Sequence, residues 1–100
     1  MNMQALMKQA QNMQRDITRI KNEIDSSVFK GKSSLVSVEV KGTKEIVSVK
    51  IDDAAKELIS EDISMLEDMI ALAINDAFSK VDEETSKKMG KYSSMMPGLM

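Results

Sequence analysis

From residue 3 to residue 24, apolar side chains recur in alternating steps of three and four: Met3, Leu6, Ala10, Met13, Ile17, Ile20 and Ile24. That spacing is a heptad seam, a single narrow stripe along one side of an α-helix. The intervening positions are mostly Gln, Asn, Lys, Arg, Asp and Thr, and neither Gly nor Pro interrupts the stretch. The pattern predicts one helix over residues 2–25, ending at Asp25-Ser26-Ser27. A helix with so narrow a stripe buries little alone, so its seam must lie against another helix, in the same chain or in a second copy. Such a segment suits assembly or binding better than the scaffold of an active site.

The period then changes to two. Val36, Val38 and Val40 alternate with Ser37, Glu39 and Lys41, and Val47, Val49 and Ile51 alternate with Ser48 and Lys50. A two-residue turn at Gly42-Thr43 would set Val38 opposite Val47 and Val36 opposite Val49, all on one face, with Ser37 opposite Ser48 on the other. Val28-Phe29-Lys30 forms a short additional strand in this reading, turning through Gly31-Lys32-Ser33. Asp52-Asp53 ends the sheet, and Ala54 to Ile59 makes a short helical turn.

Ser60 is the expected cap of a second long helix, with Glu61 and Asp62 in its first turn. Ile63, Leu66, Ile70, Ala73, Ile74, Ala77, Phe78 and Val81 give it a broad apolar face, widened by Met65, Met69 and Leu72. A face that broad can cover a sheet and leave a flank for a partner. The helix turns polar at Asp82-Glu83-Glu84 and fades at Met89-Gly90. The expected fold class is α+β, a two-layer α-β-β(-β)-α sandwich with an antiparallel hairpin or three-stranded sheet between two long helices. One domain spans 1–90, and residues 91–100, with Pro97-Gly98, form a flexible tail.

With 100 residues the chain makes one domain with a modest core. It has no Cys and no His, which excludes disulfides, Cys- or His-ligated zinc, His-ligated haem, thiol nucleophiles and imidazole acid–base chemistry. The opening Met-Asn-Met-Gln lacks the basic-then-apolar pattern of a signal peptide, and no apolar run reaches the length of a membrane span. The net charge of −2 argues against a uniformly basic nucleic-acid binder, but the charge is segregated. Residues 1–50 carry +4, residues 51–84 carry −9 and residues 85–100 carry +3. An anionic partner would meet the first helix, the middle segment or the tail, and be repelled by the acidic helix.

Several stretches together resemble the YbaB/EbfC family of small bacterial nucleoid-associated proteins. They are Met-Asn-Met-Gln with Met7-Lys8-Gln9-Ala10-Gln11 and Met13-Gln14, then Leu35-Val36-Ser37-Val38, Gly42 and Val47-Ser48-Val49-Lys50-Ile51-Asp52. Leu66-Glu67-Asp68-Met69-Ile70, Ala73-Ile74-Asn75-Asp76-Ala77, Met89-Gly90 and Pro97-Gly98 follow in order. The resemblance covers nearly the whole chain. It implies an α-β-β-β-α fold, a tweezer-like homodimer and DNA binding with weak or relaxed sequence preference.

Lys8 and Arg15 fall opposite the seam, flanked by Gln11 and Arg19, in a stripe with no acid that could follow a phosphate backbone. A polar back face is also what any coiled-coil helix needs. Lys30, Lys32, Lys41 and Lys44 gather near strand ends and turns, where lysine also guards sheet edges. Lys87, Lys88 and Lys91 end the second helix, where they either complement the negative helix end or contact DNA. Leu66, Met69, Ile70, Ala73, Asn75, Asp76 and Ala77 are candidates for the dimer contact or for a structural role, with Asn75-Asp76 capping backbone or linking subunits.

The scarcity of aromatic residues disfavours base stacking and single-strand recognition, and no recognition-helix motif is present. No phosphate loop, nucleophile motif or paired-carboxylate spacing stands out, so neither an enzyme, a cofactor, a metal site nor a small-molecule substrate is expected. The expected function is that of a cytoplasmic, nucleoid-associated homodimer that binds duplex DNA with low specificity and affects compaction and gene expression. The rival is an adaptor or chaperone-like dimer acting with a recombination or repair protein.

Overall fold

Helix α1 covers Met3–Ser26, one residue on from the span its seam predicts. The Asn2 side chain caps it, accepting from the N–H groups of Gln4 at 3.0 Å and Ala5 at 3.4 Å, which would otherwise lack partners in the first turn. The structure, a computed structural model, describes residues 2–92, without the side chains of Leu58, Ile59 and Lys91.

Three antiparallel strands follow in a meander: β1 Val28–Ser33, β2 Val36–Lys41 and β3 Ile46–Ile51. Strand β1 runs three residues beyond the expected Val28–Lys30 segment, and the turn falls at Ser34-Leu35, not at Gly31-Lys32-Ser33. Gly31 serves a different purpose. A Cβ there would collide with the Ala73 carbonyl oxygen and with Ala77, so the glycine permits close passage of β1 under the second long helix. The turn instead rests on Ser34, in a left-handed conformation with φ 50°.

The hairpin register also departs from the expected one. Lys44 donates its N–H to the Lys41 carbonyl at 2.8 Å, and Lys41 donates to the Glu45 carbonyl at 2.9 Å. Those bonds close a three-residue loop, Gly42 to Lys44, with Lys44 left-handed at φ 69°. An irregularity between Glu39 and Val40 shifts the register again. Val36 therefore faces Ile51, Val38 faces Val49, and Ser37 lies opposite Lys50 instead of Ser48. The two one-residue shifts cancel in parity, so Val49 and Ile51 keep the face expected of them.

Past β3, Asp52 caps a 3-10 turn, Asp53–Ala55, and helix α2 covers Lys56–Glu61. Helix α3, Ile63–Met89, is capped by Asp62, which accepts from Met65 N–H and from the Ser64 hydroxyl. Ser60 is not the cap, because its hydroxyl donates to the Glu57 carbonyl inside α2.

Helix α3 lies across β1 and β2. Val36, Val38 and Val40 are completely enclosed beneath Leu66, Ala73, Ala77 and Val81. Each such valine contributes about 1.5–3 kcal/mol of apolar burial. A second cluster joins Ile17, Ile20 and Ile24 of α1 to Met89 and Tyr92. The lower half of the seam is thus paired within its own chain. Gly42 fixes the corner, since a Cβ there would meet the Ile24 carbonyl, and its N–H donates to Ser27 O at 3.2 Å. A 3-10 turn, Gly90–Tyr92, carries Tyr92 into the second cluster, so the tail boundary drawn at residue 91 falls inside this element. Residues 93–100 lie outside the described residues.

Candidate nucleic-acid interface

Helix α1 is about 36 Å long at 1.5 Å per residue, yet its buried residues are only Ile17, Ile20 and Ile24. The N-terminal half stands clear of the sheet and gives the molecule a long axis of 71 Å against 20 and 14 Å. The helical repeat puts Gln4, Lys8, Gln11, Arg15 and Arg19 on the side away from the seam. All five are exposed, and no acid interrupts the stripe. Lys8 and Arg15 make no ion pair among the described residues. Arg19 differs: its guanidinium lies 3.2 Å from Glu23 and 3.8 Å from Asp16, so its charge is largely satisfied within the helix.

The middle lysines divide in the same way. On the open face of the sheet, away from α3, Lys32, Ser37 and Lys50 stand side by side on β1, β2 and β3. They line a shallow depression with Ser34, Leu35 and Asp52. Lys30 occupies the next outward position on β1, opposite Glu39. Lys30, Lys32 and Lys50 are exposed and without ion pairs among the described residues. Two lysines flanking a serine hydroxyl form a surface suited to a phosphate. Lys50 was missed by the sequence reading, although the inward alternation of Val49 and Ile51 already turned it outward.

Lys41 and Lys44 are engaged elsewhere. Lys41 lies 3.9 Å from Glu45, while Lys44 reaches across to Asp82 at 3.0 Å and sits 5.7 Å above the Phe78 ring. Lys88 is shared between Glu84 at 3.4 Å and Glu23 at 3.9 Å, which ties α3 to α1. Lys87 is exposed and makes no ion pair among the described residues. The side chain of Lys91 lies outside the described residues. Apart from Lys87, the exposed cations without an ion pair among the described residues form two groups, Lys8 and Arg15 on the arm and Lys30, Lys32 and Lys50 on the sheet.

Of the candidates for dimer or structural roles, Leu66, Ala73 and Ala77 belong to the intrachain core, and Met69 and Ile70 pack partly against it. Asn75 is exposed. Asp76 caps backbone: it accepts from Lys32 N–H at 3.0 Å and pairs with Lys80 at 3.4 Å, while Lys80 donates to the Lys30 carbonyl at 2.7 Å. The Lys32 N–H, together with the Lys80 ammonium and against a desolvation that works the other way, holds the Asp76 carboxyl below the ordinary aspartate range.

A family model described as the YbaB/EbfC DNA-binding family matches residues 1–96. The chain belongs to this family. It is 38% identical over 99 residues to a nucleoid-associated protein of Ligilactobacillus salivarius, covering 99% of this chain and 95% of that one. It is 41% identical over 99 residues to a nucleoid-associated protein of Streptococcus agalactiae, covering 97% and 98%. The fold also matches the crystal structure of an uncharacterized protein from Helicobacter pylori. That match has a TM-score of 0.68 and 22% identity, covering 96% of this chain and 99% of that one. The family is thus described as DNA-binding, and both of these bacterial relatives are named nucleoid-associated proteins. Among the described residues no helix is long and apolar enough to cross a membrane.

Proposed function

We propose that this protein binds duplex DNA as a homodimer, mainly through phosphates and with low sequence preference, in the cytoplasm at the nucleoid, where it affects compaction and gene expression. The observation that carries the reading is the state of Lys8 and Arg15. They lie exposed and without an ion pair among the described residues, on a helix that projects from the body. A cation held away from carboxylates keeps its full attraction for a polyanion and releases counterions on binding. The sheet lysines offer a second contact of the same kind. With no aromatic platform and no recognition helix, base-edge readout is minor.

A second copy supplies what one chain lacks. Strand β3 forms one edge of the sheet, and α3 does not cover it, so Ile46, Val47, Val49 and Ile51 are each between 43% and 49% exposed. Ile70, Ile74 and Phe78 lie at successive four-residue steps on one flank of α3, and Lys44 over Phe78 shows that this flank faces the hairpin. The opposite edge, β1, is closed by Asp76 and Lys80. This asymmetry favours β3 and the adjoining flank as the self-complementary contact of a two-fold dimer. Pairing would double the cations facing one duplex.

The test is a gel-shift series on duplexes of unrelated sequence, with the oligomer mass measured in parallel. Comparable affinities and a dimer mass are expected. If no duplex is bound while a protein complex survives nuclease treatment, the adaptor reading, with a recombination or repair partner, replaces this one.

A further inference from the structure

The apolar seam of α1 is only half used. Ile17, Ile20 and Ile24 are buried beside Met89 and Tyr92, whose hydroxyl bonds to Asp16 at 3.2 Å. Toward the N-terminus, Met3 is 69%, Leu6 43% and Met7 60% exposed, and Ala10 is exposed beside them. An apolar stripe of this kind on a projecting helix lacks a cover among the described residues.

The shape of the bare stretch fits a second helix. Leu6, Gln9, Ala10 and Met13 line a shallow depression. Their spacing of i, i+3, i+4 and i+7 is that of the four residues that receive a knob from the facing helix of a coiled coil. Ala10 is the small residue within it, and Leu6 is the branched residue one turn before Ala10. Two copies laid antiparallel, about a two-fold axis near residue 8, place Leu6 of each against Ala10 of the other. The same register sets Met3 against Met13. The seam is thus complementary to itself, large against small at the centre and flexible methionine against methionine at the ends.

Charge selects the same occupant. Between residues 2 and 14 Lys8 alone is charged, and the helical repeat turns it away from the seam. Met7, Gln9 and Gln14 flank the bare stretch. Two identical surfaces meet here with no like charges opposed, whereas a strongly charged partner finds nothing to pair with. Where the seam is buried within its own chain the flanks are charged instead, and Glu23 reaches Lys88 at 3.9 Å.

The bare stretch is about 15 Å long. Met3, Leu6, Met7, Ala10 and Met13 from each copy fall well short of the roughly 20–30 residues a side of a stable complex. The contact is therefore weak between free molecules and effective where many copies are held close together, as along a duplex.

We propose that the N-terminal half of α1 pairs antiparallel with the same segment of a second copy and joins one DNA-bound dimer to another. This consequence rests on the duplex-binding, homodimeric reading above. Lys8 and Arg15 lie on the far side of each arm, so a pair of arms presents cations outward in both directions. Two helices, each about 10 Å across, then form the spacer between two bridged duplexes.

The chain has no native cysteine, so cross-linking tests the contact directly. Full-length Leu6→Cys and Ala10→Cys chains are mixed and oxidised without DNA. The disulfide should join one variant to the other severalfold more often than either to itself, in species that sediment as tetramers or larger. Lys8→Cys chains, altered on the outward face, should cross-link at least tenfold more slowly. Preference for like variants, equal reaction of Lys8→Cys, absence of any link between chains, or a cross-linked species no larger than a dimer each overturns the proposal. A second measurement uses a full-length Leu6→Gln, Met7→Gln variant and an immobilised duplex. The variant should bind a short duplex as the wild type does, yet carry down a free second duplex about tenfold less. Equal capture of the second duplex overturns the proposal, and so does loss of the first, which would place the seam on the DNA. The cross-link needs no DNA and the mass before oxidation reports the dimer separately, so failure here is distinct from failure of the duplex-binding reading.

Discussion

Asp76, in the middle of α3, accepts the backbone N–H of Lys32 at the outer edge of β1, at 3.0 Å. A polar residue on an otherwise apolar helix thereby closes a strand edge that would be open to intermolecular pairing. The Lys32 N–H and the Lys80 ammonium keep its carboxyl below the ordinary aspartate value of 3.8. A depressed native pKa contributes stability that is present above the unfolded value and is lost as pH falls through the native one. Asp76→Asn should melt at a lower temperature than wild type near neutrality, and the gap should close as the solution is acidified below that value. Thermal melts across pH check this, and a gap independent of pH would contradict it.

Gly31 and Ala77 meet where β1 passes under α3. Gly31→Ala should destabilise the protein by about 1–3 kcal/mol through overpacking. Ala77→Gly in the same chain should not recover that loss, because the nearest obstacles are backbone atoms, the Ala73 carbonyl oxygen and the Ala77 nitrogen, and a glycine inside α3 costs about 1 kcal/mol of its own. Urea unfolding midpoints measure both, and an unchanged midpoint for Gly31→Ala would show that the approach is looser than described.

The regular elements were legible in the sequence because each has a strong period. The seam of α1, the alternation of β2 and the wide face of α3 all fold as their spacing requires. The irregular places were not, because each depends on a tertiary contact. Gly31 reads as a turn residue until α3 is known to press against it, and nothing in Lys44 announces a left-handed φ. Ser60 reads as the cap of the second long helix until its hydrogen bond into α2 is seen, which leaves that role to Asp62. The cationic stripe was visible as a stripe. One helical turn already suggests the Arg19–Glu23 and Lys88–Glu84 pairs. That Lys44 reaches Asp82 and Lys88 reaches Glu23 follows from the folded geometry alone, and Lys8 and Arg15 make no ion pair among the described residues.

Val49 is 43% exposed on the face of β3 that α3 leaves uncovered. Val49→Lys should leave the monomer folded, by circular dichroism, and shift the mass by sedimentation from dimer to monomer. A persistent dimer would place the contact elsewhere.

Lys32 and Lys50 flank Ser37 on the open sheet face. Replacing both with Gln should weaken binding to unrelated duplexes by similar factors, since phosphate contacts carry no sequence information. Arg19→Gln should change affinity little, because Glu23 already holds that guanidinium at 3.2 Å. A large loss for Arg19→Gln with none for the lysine pair would reverse these assignments.

The most direct measurement is the salt dependence of duplex affinity for the wild type and for the double variant Lys8→Gln with Arg15→Gln. With about six to ten phosphates neutralised per dimer, wild-type affinity should fall about a thousandfold or more between 50 and 200 mM salt. The variant should remain a folded dimer, bind more weakly and show a shallower slope. A flat wild-type titration, or a variant with the wild-type slope and affinity, would contradict the account.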